Sequence, residues 1–197
     1  MKPTTWPLPF LSLTLGLLTG CSRDDSPAPA AEATYTRSVT YLDTASPSRL
    51  DSTFKAPILK TFARQNKNVF TVFLQPLPNR ESVSFNLLRG QLPANRLGTY
   101  SYKTKQDASA ATDFEYRIEK PDKVGSSNWL YSRFLHSPTG SFTITAYDES
   151  RHVVSGNFTV DLADVSDPFA LDSEFRPRRC NMKLQGTFAN APIEDID

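Results

Sequence analysis

The sequence predicts an all-β protein, a single antiparallel β-sandwich or flattened barrel of about 8–10 strands. Three observations carry that expectation. Short segments alternate apolar and polar side chains with a period of two, turn-forming stretches separate them, and no segment has helical periodicity. Val83, Phe85 and Leu87 alternate with Ser82, Ser84 and Asn86, while Phe142, Ile144 and Ala146 alternate with Ser141, Thr143 and Thr145. Each such segment has one dry and one wet face, as a half-buried strand requires.

In chain order, strands are expected at residues 35–42, 53–58, 68–75 and 98–103, with the Val83–Phe85–Leu87 alternation between the last two. Phe114, Tyr116 and Ile118 carry the same period, and residues 129–136 form the next segment. After Phe142 and Ile144, the dry faces continue through Val154, Phe158, Val160 and Leu162, then through Met182, Leu184 and Phe188. Leu92-Pro93-Ala94-Asn95 and Pro121-Asp122-Lys123 are turn signals. Gly156 and Gly186 fall in line with apolar neighbours, which marks a bulge or a close approach of backbones.

The N-terminus reads as a targeting segment, residues 1–20. Lys2 supplies a positive start, and the apolar run over residues 8–18 is shorter than the roughly 20 residues that span a bilayer. Leu18-Thr19-Gly20-Cys21 resembles the lipobox of bacterial lipoproteins. The resemblance implies diacylation of the Cys21 thiol, cleavage ahead of it, and a third acyl chain on the new amino group. Two or more chains anchor stably where one does not, so Cys21 is the expected lipidation site. Ser22 is not the aspartate that retains Gram-negative lipoproteins at the inner membrane. Ser22-Arg23-Asp24-Asp25 is similar to the export signal of surface lipoproteins in Bacteroidota. Residues 21–33 then form a Pro/Ala-rich tether, and residues 34–197 form one domain.

Charge and cysteine usage narrow the partners. One of the 22 Lys and Arg residues, Lys2, lies in the targeting segment, so the remainder balances the 21 acidic residues. A neutral balance argues against a nucleic-acid partner. With Cys21 lipidated, Cys180 has no partner for an internal disulfide and reads as a small buried residue.

Gly140-Ser141-Phe142-Thr143-Ile144-Thr145-Ala146-Tyr147-Asp148, Val154-Ser155-Gly156-Asn157-Phe158 and Leu184-Gln185-Gly186-Thr187-Phe188-Ala189-Asn190-Ala191-Pro192 resemble the closing strands of uncharacterised β-rich Bacteroidota lipoproteins. The likeness covers the last third of the chain, with Leu97-Gly98-Thr99-Tyr100 as a weaker outlier. It departs over residues 161–179, a longer and more charged connection. It implies a β-rich fold and an envelope address, and it brings no catalytic residues.

No catalytic constellation stands out. The two histidines, His136 and His152, end different segments, and HExxH, CxxC and GxSxG patterns are missing. No enzyme activity, metal or cofactor is expected. Asp161, Asp164, Asp167, Asp172 and Glu174 lack EF-hand spacing and read as a solvated connection beside Arg176, Arg178 and Arg179. Trp129, Tyr131 and Arg133 share one strand face and are the candidate ligand-binding residues, because aromatic and arginine side chains are enriched at interfaces. Packing of both strand faces is the competing reading. Asp43-Thr44-Ala45 and Asp51-Ser52-Thr53 resemble an O-glycosylation acceptor of exported Bacteroidota proteins.

The expected function is that of a non-catalytic, membrane-anchored cell-envelope lipoprotein, in the outer membrane and facing the surface. It would bind an envelope protein, a glycan or another ligand. A lipocalin-like carrier of a small apolar ligand is the first alternative, and a carbohydrate-acting envelope enzyme the second.

Overall fold

The computed structural model describes residues 30–42, 51–56, 58–77, 80–119, 128–169 and 178–197. Cys21, the targeting segment, most of the tether, Asp43-Thr44-Ala45, Pro121-Asp122-Lys123, Asp172, Glu174 and Arg176 lie outside the described residues. Eleven strands are described: β1 (Glu32–Tyr41), β2 (Ser52–Lys55), β3 (Ile58–Gln65), β4 (Val69–Leu77), β5 (Glu81–Leu88) and β6 (Gly98–Tyr100) come first. β7 (Thr112–Glu119), β8 (Asn128–Ser132), β9 (Thr139–Asp148), β10 (Val153–Ser166) and β11 (Arg179–Asp195) follow. The described helical structure is one 3-10 turn at Arg89–Gln91, and no described helix is long and apolar enough to cross a membrane. The all-β expectation holds.

The strands form one curled sheet, a half-barrel, in which nine follow the order β6-β9-β10-β11-β3-β4-β5-β7-β8, while β1 pairs with β11 and β2 with β1. β11 is the strand on which the curl turns. Its first part pairs antiparallel with β1, from Glu32 opposite Ala189 to Tyr41 opposite Cys180. Its last part pairs parallel with β3, Ile193 opposite Ala63 and Asp195 opposite Gln65. Beyond β6, a single parallel bridge between Tyr102 and Thr112 reaches back to β7. It is held by Lys103 N donating to Thr112 O at 2.7 Å and Thr112 N to Ser101 O at 3.2 Å.

The curl brings the dry faces together. Phe85 of β5 stacks on Phe142 of β9 with centroids 4.6 Å apart, and lies 4.9 Å from Phe158 of β10. Phe142 in turn stacks on Phe188 of β11 at 5.7 Å. These rings are fully buried, and each contributes about 1.5–3 kcal/mol by burial alone. The period-two reading selects these residues, along with Val83, Leu87, Phe114, Tyr116, Val160, Leu162, Met182 and Leu184, all buried.

Gly156 and Gly186 make the closest approach possible. Gly156 lies opposite Phe188 in register, and Gly186 lies opposite Phe158. A Cβ on Gly156 would strike Thr143 O and come within 2.6 Å of Phe188 Cζ, and one on Gly186 would strike Thr34 O and come within 2.8 Å of Phe158 Cε1. Each glycine is thus the seat of the phenyl ring on the neighbouring strand.

Several expectations require correction. Ala146 is exposed rather than inward. Gly156 pairs with Ile144 whereas Ser155 pairs with Ala146, so Thr145 is an extra residue that flips the alternation. Tyr147 turns inward in its place and packs against the core. The segment expected at 53–58 is the end of one strand and the start of another, β2 and β3. Most of β3 escapes the period-two reading because its core-facing positions are Thr61, Ala63 and Gln65, while Phe62, also buried, stacks on Phe73 on the opposite face. The segment expected at 129–136 stops at Ser132, where Leu135 N and His136 N both donate to Ser132 O and close a turn. The charged connection starts later than expected, because β10 runs on to Ser166.

Gly156→Ala and Gly186→Ala should each destabilise the domain by roughly 1–3 kcal/mol or more, since the obstructing atoms include backbone carbonyls that cannot swing away. Guanidinium denaturation measures this, and an unchanged midpoint in both variants would mean that the strands do not meet there.

Candidate functional site

Two polar features stand out from the apolar core. The first is internal. Arg37 lies on β1 between Tyr35 and Val39, and Glu81 lies on β5 next to Val83, so alternation points both charges inward. There the Arg37 guanidinium donates to Glu81 Oε1 as a buried ion pair. Glu81 Oε2 accepts from Tyr35 OH at 3.1 Å and from Tyr116 OH at 3.0 Å. The Arg37 guanidinium also packs over the Phe169 ring at 4.5 Å and the Phe54 ring at 5.1 Å. Burial, with the nearby Glu81 charge, pushes the Tyr116 hydroxyl above its ordinary pKa. Burial opposes the charge on Arg37, and Tyr116 and Glu81 outweigh it, so the guanidinium stays protonated. This cluster ties β1, β5 and β7 together across the interior.

The second feature is open to solvent, at the turn that follows β8. Of the three candidate residues, the structure describes the backbone of Trp129, opposite Ile118 in register. Tyr131 is a core residue, 1% exposed. Its ring stacks on Tyr116 at 5.6 Å, and its hydroxyl donates to Ser166 O at 2.8 Å. Arg133 has left the strand. Its Nε lies 3.1 Å from Asp113 Oδ2, and its guanidinium covers the Phe134 ring at 4.5 Å. Tyr131 and Arg133 therefore do not share a strand face.

Beside this turn lies a groove of about 420 Å³, lined by Lys105, Gln106, Leu135, His136 and Ser137, with Ala163, Asp164 and Arg179 along one wall. Leu135 of its lining and Phe134, the preceding residue, are 65% and 69% exposed. The wall is a β-bulge: Leu162 pairs with Met182 but Val165 with Cys180, so β10 carries an extra residue. Asp164 occupies it with a φ of 48°, a left-handed conformation that aspartate tolerates better than most residues. Asn181 Oδ1 accepts from Asp164 N at 2.9 Å, and Arg179 Nε donates to the Asp164 carboxylate at 2.8 Å. The hydrogen bond from Arg179 holds the Asp164 carboxyl below its usual pKa. On the other side, Ser137 Oγ donates to Gln106 Oε1 at 3.1 Å. Burial, together with Arg179, lowers the pKa of His136 and keeps its imidazole neutral. Its Nδ1 is buried and makes no hydrogen bond, and neither does the buried Ser132 Oγ.

The remaining reactive groups are elsewhere. His152 lies near Asp195, with Nδ1 3.7 Å from Oδ2. Cys180 is fully buried, and burial with Asp167 nearby pushes its thiol up to about 12. Of the acidic connection, Asp161 faces Lys183 at 3.8 Å, Asp164 holds Arg179, and Asp167 is buried with its carboxylate accepting from Phe169 N at 2.8 Å. Among the described residues, no group of three or more His, Cys, Asp or Glu side chains is close enough to hold a metal ion. In the acceptor-like Asp51-Ser52-Thr53, Asp51 Oδ1 accepts from Tyr41 N at 2.8 Å. The groove was not predicted, because it joins residues near 105, 136, 164 and 179; the available signal was His136 at a segment end. No protein-family model, curated protein or solved structure matches the chain.

Glu81→Gln should cost about 3–5 kcal/mol of stability, because it leaves the Arg37 charge buried and uncompensated. Arg37→Met combined with Glu81→Leu should cost less than the sum of the two single changes, a coupling that a double-mutant denaturation cycle reads directly. The Cys180 thiol should resist a disulfide-exchange reagent at pH 8 in the folded protein and react fully in guanidinium. Rapid labelling of the native state would contradict the burial.

Proposed function

We propose that the chain is a non-catalytic lipoprotein of a bacterial cell envelope. Acyl chains on Cys21 hold it to a membrane, and its β-sandwich or flattened barrel binds a partner or ligand at the groove beside the β8–β9 turn. The observation that carries the anchor is Leu18-Thr19-Gly20-Cys21 at the end of a short apolar run, followed by a Pro/Ala-rich stretch. The outer membrane and an exposed face are the preferred address, given Ser22 and the Ser22-Arg23-Asp24-Asp25 sequence.

The direction of β1 supports the choice of the groove. The chain enters β1 at Glu32 and ends it at Tyr41, ten residues later, a rise of roughly 30 Å. Tyr41 lies opposite Cys180, next to the groove residue Arg179. A domain suspended from Glu32 therefore presents the groove, Phe134 and Leu135 at the end away from its anchor. Packing of Phe85, Phe142, Phe158 and Phe188 into the interior favours such a surface site over an enclosed carrier cavity. The separation of His136, His152 and Cys180 favours binding over nucleophilic catalysis.

Metabolic labelling with palmitate tests the anchor. Label should appear on the wild-type chain and vanish in Cys21→Ser, with the far-ultraviolet β signature of the domain retained. Equal labelling of both would contradict the proposal.

A further inference from the structure

We propose that the groove beside the β8–β9 turn binds a small polar ligand by its carboxylate group, with Lys105 as the counter-charge and His136 as a hydrogen-bonding group. This rests on the reading of the groove as the binding site and names the chemistry it selects.

The argument begins with charge. Arg179 is engaged by Asp164, Lys183 faces Asp161, and Arg133 faces Asp113. The acid nearest in sequence to Lys105, Asp107, turns its carboxylate to Ser109, accepting from N at 2.9 Å and from Oγ at 2.6 Å. Lys105 makes no ion pair among the described residues and lines the groove. Its ammonium is the uncompensated charge of this site, and its natural complement is an anion.

The hydrogen-bonding groups point the same way. Ser137 occupies the carbonyl end of Gln106, which leaves the Gln106 amide NH₂ free to donate. His136 Nδ1 and Ser132 Oγ are buried without hydrogen bonds, and Ser132 is 4% exposed. Burial of Nδ1 leaves Nε2 as the ring nitrogen of His136 that can face an occupant of the groove. At about 420 Å³ the groove is at the small end of ligand pockets, roughly 300–1,000 Å³. Its polar lining fits a hydroxylated acid of sugar size. The groove lies at the end of β1 farthest from Glu32, which favours a soluble acid over a headgroup of the anchoring membrane.

Glucuronate and glucose differ in a single carboxylate and make the test direct. The full chain, solubilised in detergent and labelled with ¹⁵N, is titrated with each and with inorganic phosphate. Glucuronate should give saturable shifts at Lys105, Gln106, His136 and Ser137, and glucose should not. Lys105→Gln should weaken glucuronate at least about tenfold without moving resonances of the core, and His136→Gln should weaken it by a smaller factor. Silence toward glucuronate, or affinity unchanged in Lys105→Gln, would overturn the proposal. Shifts with glucose equal to those with glucuronate would overturn the charge selection yet keep the groove as a binding site. Phosphate binding as tight as glucuronate would overturn the carboxylate assignment. The anchor is scored separately by the palmitate label, so neither failure conceals the other.

Discussion

Two phenyl rings seated on two glycines hold the closing strands of this protein together. Phe158 rests over Gly186 and Phe188 over Gly156, in reciprocal register across β10 and β11. That interlock lets β10 and β11 pack closely enough for Phe142 and Phe85 to stack above them. The same strand then continues to Ile193–Asp195 and pairs with β3. β11 is therefore shared between the part of the sheet built on β9, β10 and β1 and the part built on β3, β4 and β5. At the far end of the latter part, β7 is joined back to the β6 side by the single bridge between Tyr102 and Thr112.

The buried ion pair adds specificity to this apolar scaffold. Stacked phenyl rings tolerate sliding, whereas a guanidinium meeting one carboxylate and two tyrosine hydroxyls does not. Arg37 and Glu81 fix how β1 sits against β5, and so how the segment entering at Glu32 is oriented relative to the groove. The groove itself depends on irregularity: a bulge at Asp164, fixed by Asn181 and Arg179, and a turn closed on Ser132.

Much of the fold was legible because period-two alternation reports burial directly. Val83, Phe85 and Leu87 read correctly, and so did the two glycines, since a missing side chain in an apolar row marks the place where another strand comes close. β3 was illegible because Thr61, Ala63 and Gln65 face the core while the buried Phe62 lies on the opposite face, so no apolar alternation shows. Ala146 was misplaced because a bulge shifts phase without any mark in residue type. The Arg37–Glu81 pair was legible in principle: each is a lone charge on an otherwise dry strand face, and two such charges of opposite sign predict one another. Of the candidate residues, Tyr131 packs in the core and Arg133 lies beyond the end of β8, so the alternation that grouped them breaks between them. Lys105, Gln106 and Arg179 converge through tertiary structure, and sequence spacing carries no trace of that.

Because β11 is shared by both parts of the curled sheet, the whole sheet should unfold as one cooperative body. Native-state hydrogen exchange in rising denaturant measures this residue by residue. Amides of Val72 and Leu74 in β4 and of Phe158 and Val160 in β10 should exchange through one shared opening whose free energy equals that of global unfolding. Opening of β3, β4 and β5 at a distinctly lower free energy, with β10 and β11 still protected, would show instead that β11 does not couple them.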